Sequence, residues 1–340
     1  MTSPLFMTKT IYDFMQAAVD IVQQSPHPTN KVAATLAIHD YAVSRTNHWP
    51  ATIENTLGRD AKIGNSSGTL HAETACIFAA MRDGIATKNA SLFITDPPCP
   101  NCMKNIAEAG ISKLYIDHKG FDKDWARRRG EDFENMSLRI ADKAGIDVFV
   151  IYRKEKRFEV ISKHAANYAP SNENPPLIIP ISSSCDLIAG SLADQKDPVV
   201  KPQDDGFWLK ALTDTMTDNQ NHPFAAALAR QNGQTVFIAA PRHPTIGYTY
   251  ETIEDSQKYS FFMEPLNRLL MIAAKEGVTL DPAHILSSRV PTSRELVNFI
   301  GSDHNSLFIM NTNECRDDQS QHALTALTDH HLLTIKHLSE

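Results

Sequence analysis

Two short motifs hold the residues most capable of chemistry: His71-Ala72-Glu73 and, further along, Pro98-Cys99-Pro100-Asn101-Cys102. One imidazole and two thiolates can hold a zinc ion on three sides and leave the fourth position to water. That is the catalytic arrangement, since structural zinc sites are usually closed by four protein ligands. Zinc lowers the pKa of such a water to about 7, so hydroxide is available near neutral pH. Hydroxide can attack an sp² ring carbon that bears an exocyclic amine. Glu73 is not needed as a ligand, and it would take the water proton, pass it to the ring nitrogen and help the amine leave as ammonia. A partly buried pocket that raises its pKa would suit it to this work. Hydrolytic deamination with one zinc ion per chain, carrying a bound water or hydroxide, is the chemistry expected.

These side chains need elements to position them. The run from His71 to Met81 is rich in helix formers and stops at Asp83-Gly84, which predicts a helix with His71 and Glu73 in its first turn. A second helix is expected from the cysteines to Gly110, with its positive dipole end favouring the thiolate form. Ser91–Thr95 reads as a buried strand between the two helices, and Asp96-Pro97-Pro98 as its turn. A lone Cys-x-x-Cys would equally suit a redox pair or half of a structural zinc site. Paired with His-x-Glu, each motif opening a helix, it fits a catalytic centre better. Cys76 lies on an apolar stretch and reads as core, while Cys185 and Cys315 have no partner spacing.

Residues 10–155 resemble the cytidine and deoxycytidylate deaminase-like superfamily, on the branch with histidine as the first ligand. The segment from Thr95 through Pro98-Cys99-Pro100-Asn101-Cys102 to Ile111 looks most like the deoxycytidylate deaminases. The resemblance implies a three-layer α/β/α domain with a mixed central sheet. It also implies that His71, Cys99 and Cys102 bind zinc and that Glu73 is the proton shuttle. An asparagine after the second strand contacts substrate in that family, and Asn47 matches it; Ala72 is counted with it as a substrate contact. Departures limit the choice of substrate. Ala75 stands where the family commonly carries asparagine, and Thr46-Asn47-His48-Trp49 replaces its glycine-rich segment. A longer stretch, Ala51 to Gly68, ends in Gly64-Asn65-Ser66-Ser67-Gly68, a flexible loop placed to cover the pocket.

With 340 residues the chain has room for two domains. Strand-like runs at 32–39, 91–95, 113–117 and 148–153 alternate with helical ones, as an α/β domain requires. Residues 1–164 are read as the catalytic domain and 165–206, rich in Pro, Ser and Asp, as a linker. Within the linker, Leu177–Ile181 is apolar enough to pack as a short strand. Residues 207–340 look like a degenerate second deaminase-like domain. His27-Pro28 is echoed by His222-Pro223, Gly277 lies 193 positions after Gly84, and Pro291 lies 193 after Pro98. On that offset His71 becomes Glu264, Glu73 becomes Leu266, Cys99 becomes Thr292 and Cys102 becomes Glu295. The two glutamates leave room for a hard cation, but no thiolate or imidazole remains for zinc.

The net charge of −7 disfavours a broad nucleic-acid surface. Five cysteines with no disulfide pattern, no membrane-length apolar run and no signal-like N-terminus lead to the expectation of a cytoplasmic protein without membrane contact. Arg127, Arg128 and Arg129, beside Trp125, could grip a nucleotide phosphate or stack on a single strand; the plainer reading is a solvated face paired with Glu131, Asp132 and Glu134. A free cytosine nucleoside or nucleotide is the favoured partner. An adenosine or cytidine in RNA, a free purine such as guanine, and a homodimer stay open. A binding protein with structural zinc is disfavoured, because such a site needs no Glu73.

Overall fold

The structure, a computed structural model, describes residues 9–121, 131–180, 222–253 and 259–336. Helix α1 (Ile11–Ile21) opens the first half, started by a reciprocal capping box between Thr10 and Asp13. The hairpin β1 (Ala33–Ile38) and β2 (Tyr41–Thr46) follows, then α2 (Ala51–Leu57) and a two-residue ladder of β3 (Lys62–Ile63) and β4 (Ser66–Ser67). Next come α3 (Ala72–Arg82), β5 (Ser91–Ile94), α4 (Pro100–Glu108), β6 (Lys113–Asp117) and a single turn, α5 (His118–Phe121). Helix α6 (Glu131–Lys143) and the strands β7 (Asp147–Tyr152) and β8 (Arg157–Ser162) complete this half. The sheet runs β2-β1-β5-β6-β7-β8 and is parallel only at β5–β6 and β6–β7.

Period-two alternation builds the layers. Leu36, Leu92, Ile94, Leu114 and Val148 point to the face covered by α3, α4 and α6. Their neighbours Ala37, Phe93, Tyr115 and Phe149 point the other way, onto Met15 of α1. This is the expected α/β/α sandwich with a mixed sheet. Sequence reading gave no range for β2, though it placed Asn47 after a second strand, and did not list β8; both are edge strands with no buried residue, so their apolar signal is weak.

The second half uses β9 (Leu177–Pro180), the hairpin β10 (Phe224–Gln231) and β11 (Gln234–Pro241), and a two-residue ladder of β12 (His243–Pro244) and β13 (Phe262–Met263). Helix α7 (Pro265–Glu276), β14 (Thr279–Val290), α8 (Ser293–Gly301), β15 (Ser306–Cys315), α9 (Asp318–Asp329) and β16 (Thr334–Lys336) follow. Strands β11-β10-β14-β15-β16 pair antiparallel, antiparallel, parallel and parallel, the same series as β2-β1-β5-β6-β7. The apolar run at 177–180 adds as a strand to the β11 edge, so part of the segment read as linker belongs to this sheet.

The helix starts keep the 193-residue offset. His71 caps α3 and Glu264 caps α7, with φ and ψ of −78° and 150° against −78° and 147°. Cys99 caps α4 and Thr292 caps α8, with −74° and 162° against −64° and 159°.

The helical layers of the two halves pack face to face in one continuous core. A buried polar chain crosses the junction. Asn105 donates to Thr74 (3.1 Å), Asn267 donates to Asn105 (2.6 Å), and Asn298 donates to Asn267 (2.8 Å). Thr74 and Asn267, like Asn105 and Asn298, are 193 residues apart, so the chain is quasi-symmetric. Beside it Glu108 accepts from Arg268 Nε on one oxygen and contacts His243 Nε2 on the other, both at 2.9 Å.

Burial alone would raise the Glu108 pKa, but His243 and Arg268 overcome it and hold the carboxyl down at about 2, against an ordinary 4.5. A depressed carboxyl stabilises the fold above its unfolded pKa, and that contribution is lost as pH falls from about 4.5 toward 2. The size of the shift corresponds to about 3 kcal/mol. Urea unfolding should therefore show stability falling through this window. Glu108→Gln should lose stability on the order of 3 kcal/mol at neutral pH and show a flatter acid limb.

Candidate metal centre and active site

The N-termini of α3 and α4 converge: α4 follows directly on the central strand β5, and the segment that enters α3 is held by an antiparallel bridge between Leu70 and His48, just beyond β2. His71 Nδ1 lies 3.2 Å from Cys102 Sγ and 3.7 Å from Cys99 Sγ, and the three ligand atoms lie within 4.8 Å of one another. Bond lengths of about 2.1 Å to nitrogen and 2.3 Å to sulfur put two ligand atoms of a tetrahedral zinc roughly 3.6–3.8 Å apart. The donor set and its spacing thus fit zinc. Among the described residues this is the only cluster able to hold a metal. Cys99 also caps α4, its sulfur accepting from the Cys102 amide at 3.4 Å.

Glu73 sits in the first turn of α3, buried, and its Oε2 has no hydrogen-bond partner among the described residues. Burial is the main force that pushes its pKa up, to about 7. An orphaned carboxylate oxygen beside three convergent ligand atoms is the mark of a group reserved for something not in the fold itself.

Glu73, His71 and Ala72 line a cavity of about 140 Å³ that also receives Asn47 and His27. The Asn47 amide is largely committed. Its Oδ1 accepts from Ser25 Oγ (2.7 Å) and the Val32 amide (2.9 Å), and its Nδ2 donates to the Asn30 carbonyl (2.9 Å). One N–H is left for a ligand, so Asn47 works first as the clasp of the 25–32 segment. Sequence reading noted His27 only as a repeat marker. Its ring stacks on Trp49 (5.5 Å between centroids), and its Nδ1 accepts from the Asn30 amide (2.9 Å). That bond leaves the proton on Nε2, a donor for the cavity. The signal available in the sequence was local: His-Pro-Thr-Asn is a turn that folds back on its own first residue.

The segment Gly64–Gly68 is not a free lid. It forms the β3–β4 turn and packs on the second half, where Gly64, at φ +56°, leaves no space for a Cβ against Ser293 and the Gln319 carbonyl. Ser67 from this turn lines the small cavity.

At the equivalent point of the second half, the described residues form no cluster that could hold a metal ion. Glu264 is bound by Arg242, Arg289 and Arg316, at 3.3, 2.9 and 3.4 Å. Glu295 accepts from the Leu266 amide (2.8 Å) and, on its other oxygen, from the Thr292 amide (2.7 Å). It therefore ties the starts of α7 and α8 together with one carboxylate, where the first half brings three ligand side chains together. Cys76 is buried in the core, as expected, whereas Arg127, Arg128, Arg129 and Cys185 lie outside the described residues. Among the described residues no helix is long and apolar enough to cross a membrane.

Residues 8–118 match the family described as the cytidine and deoxycytidylate deaminase zinc-binding region. A protein of Aliivibrio fischeri named as an uncharacterized deaminase in the luxG 3′ region is 31% identical over 136 residues, which are 40% of this chain and 88% of that one. The deoxycytidylate deaminase of enterobacteria phage T4 is 36% identical over 90 residues, 26% of this chain and 42% of its own length. A dCMP deaminase of cyanophage S-TIM5, solved with dCMP and dUMP, aligns with 44% of this chain and 100% of its own at 21% identity and a TM-score of 0.32.

Asn47→Ala removes three hydrogen bonds, one buried and two part-buried. It should cost about 2–3 kcal/mol, seen first as faster amide exchange across residues 25–32; unchanged protection there would contradict the clasp.

Proposed function

This chain belongs to the cytidine and deoxycytidylate deaminase family, and we propose that its first half deaminates the cytosine ring of a free nucleoside or nucleotide at a zinc centre held by His71, Cys99 and Cys102. As a member of that family it is a hydrolytic deaminase. The observation that carries the proposal is the unpartnered, buried Oε2 of Glu73 beside three convergent ligand atoms at the wall of a small cavity.

Zinc, when bound, supplies Lewis acidity and a nucleophilic water. The protein's own groups do the rest. Glu73 accepts the proton released as water adds to the ring carbon and delivers it to the ring nitrogen. It then moves the proton of the added hydroxyl to the exocyclic amine, so that the C–N bond breaks, ammonia leaves and the ring carbon becomes a carbonyl. The remaining N–H of Asn47 and the Nε2–H of His27 are donors for the ring's exocyclic oxygen and for the sugar. Ala72, at the first turn of α3, closes the cavity beside Glu73. A volume of about 140 Å³ is small against the ~300–1,000 Å³ of typical ligand pockets. It suits a single ring, with sugar and phosphate extending outward. The phage deoxycytidylate deaminase relative supports the nucleotide choice.

Ammonia release should be measured with zinc-loaded protein on cytosine, cytidine, deoxycytidine, dCMP, guanine and bulk tRNA. Turnover of a small cytosine compound is expected. Glu73→Gln should keep its zinc and lose turnover by about 10²–10⁴-fold. Comparable activity in that variant would sink the mechanism, and activity on tRNA alone would overturn the substrate class.

A further inference from the structure

The second half lacks every ligand and the proton carrier, yet besides Arg316, which pairs with Glu264, it brings a second arginine to the cavity that the three ligand residues line. Arg294 occupies the second position of α8, 193 residues after Asn101. Its Nη1 donates to the Thr69 carbonyl at 2.7 Å, and its Nη2 reaches the Ser67 carbonyl at 3.4 Å. Both carbonyls belong to the short segment that runs into His71. The same guanidinium lines a cavity of about 440 Å³ between the halves, together with His71, Cys99 and Cys102. Burial pulls the Arg294 pKa below its ordinary value, and Cys99, Cys102 and Tyr259 act against that pull as the acidic groups that favour its charge. Among the described residues no carboxylate pairs with Arg294, in contrast to the three arginines that converge on Glu264.

We propose that Arg294 is a positioning residue of the catalytic centre, lent by the degenerate half. Its fixed charge offsets the two metal-binding thiolates, and its fork holds the Ser67–Thr69 segment from which His71 is presented. The inference rests on the metal-centre reading above. Two thiolates brought together in a partly buried site repel each other, and a nearby cation lowers the free energy of holding both. Arginine suits the task because it does not lose its proton and because one planar fork can serve two carbonyls at once. Neighbours of this kind orient ligands and tune metal affinity without touching the metal. The second half is then a working part of the enzyme, since α8 carries the cation and its packing fixes where the cation sits.

The test uses full-length Arg294→Gln, Arg294→Lys and Cys99→Ala proteins. Zinc affinity is read by competition with a chromogenic chelator, and turnover by ammonia release with dCMP as probe. Arg294→Gln should bind zinc about 10–100-fold more weakly than the unmodified protein. Arg294→Lys should recover most of that affinity, because the charge is kept, while kcat stays lowered because the fork is lost. Unchanged affinity and turnover in Arg294→Gln, with zinc lost from Cys99→Ala, would overturn this proposal alone. Zinc retained by Cys99→Ala would overturn the metal centre and this inference with it. Should Arg294→Gln not fold, Arg294→Lys decides: an unchanged kcat there overturns the proposal.

Discussion

Two helix N-termini aimed at one point form a junction of unpaired amides and converging positive dipole ends, and something anionic has to satisfy it. Each half of this protein contains such a junction, and each resolves it differently. In the first half the cysteine sulfurs of α4 and the histidine that caps α3 face each other across the gap. In the second, the Glu295 carboxylate alone reaches the amides of both helix starts. One solution leaves an open, metal-seeking centre. The other is closed and self-sufficient, and the second half has the same helix-start geometry with other residue types at the equivalent positions.

The same quasi-symmetry governs how the halves join. Because α3 and α4 meet α7 in a like-to-like packing, equivalent polar positions meet near the junction and link into one asparagine-rich chain. Such a chain specifies register, since each donor has a single acceptor and a slip would strand all of them. The Glu108–Arg268–His243 cluster is asymmetric and has no counterpart in the other direction, as Gly301 stands 193 residues after Glu108. It fixes which half is which. The turn at Gly64 and the Arg294 fork lie at the same junction, so the segment that brings Ser67 and Thr69 to the small cavity beside Glu73 rests on the second half.

Much of this was legible in the sequence where chemistry or periodicity restricts the residue types. His71, Glu73, Cys99 and Cys102 stood out because a three-ligand centre with a separate proton carrier needs those types at helix starts. The 193-residue offset was readable from a few short echoes, and the cap dihedrals at His71 and Glu264 show it carried through to the backbone. What escaped depends on contacts between distant segments. Nothing local marks Arg294 as a neighbour of Cys99, or Glu108 as the partner of Arg268, until the halves are docked. Asn47 was found by type and position, but its commitment to Ser25, Val32 and Asn30 emerges only when the loop closes around it. Gly64 read as flexible because glycine permits motion, whereas here it permits close approach.

The central claim is that one junction of the two is a metal centre and the other is its closed, metal-free counterpart. Elemental analysis of the purified full-length chain measures this directly. The account predicts one zinc ion per chain. Two per chain, or none after incubation with zinc, would contradict it.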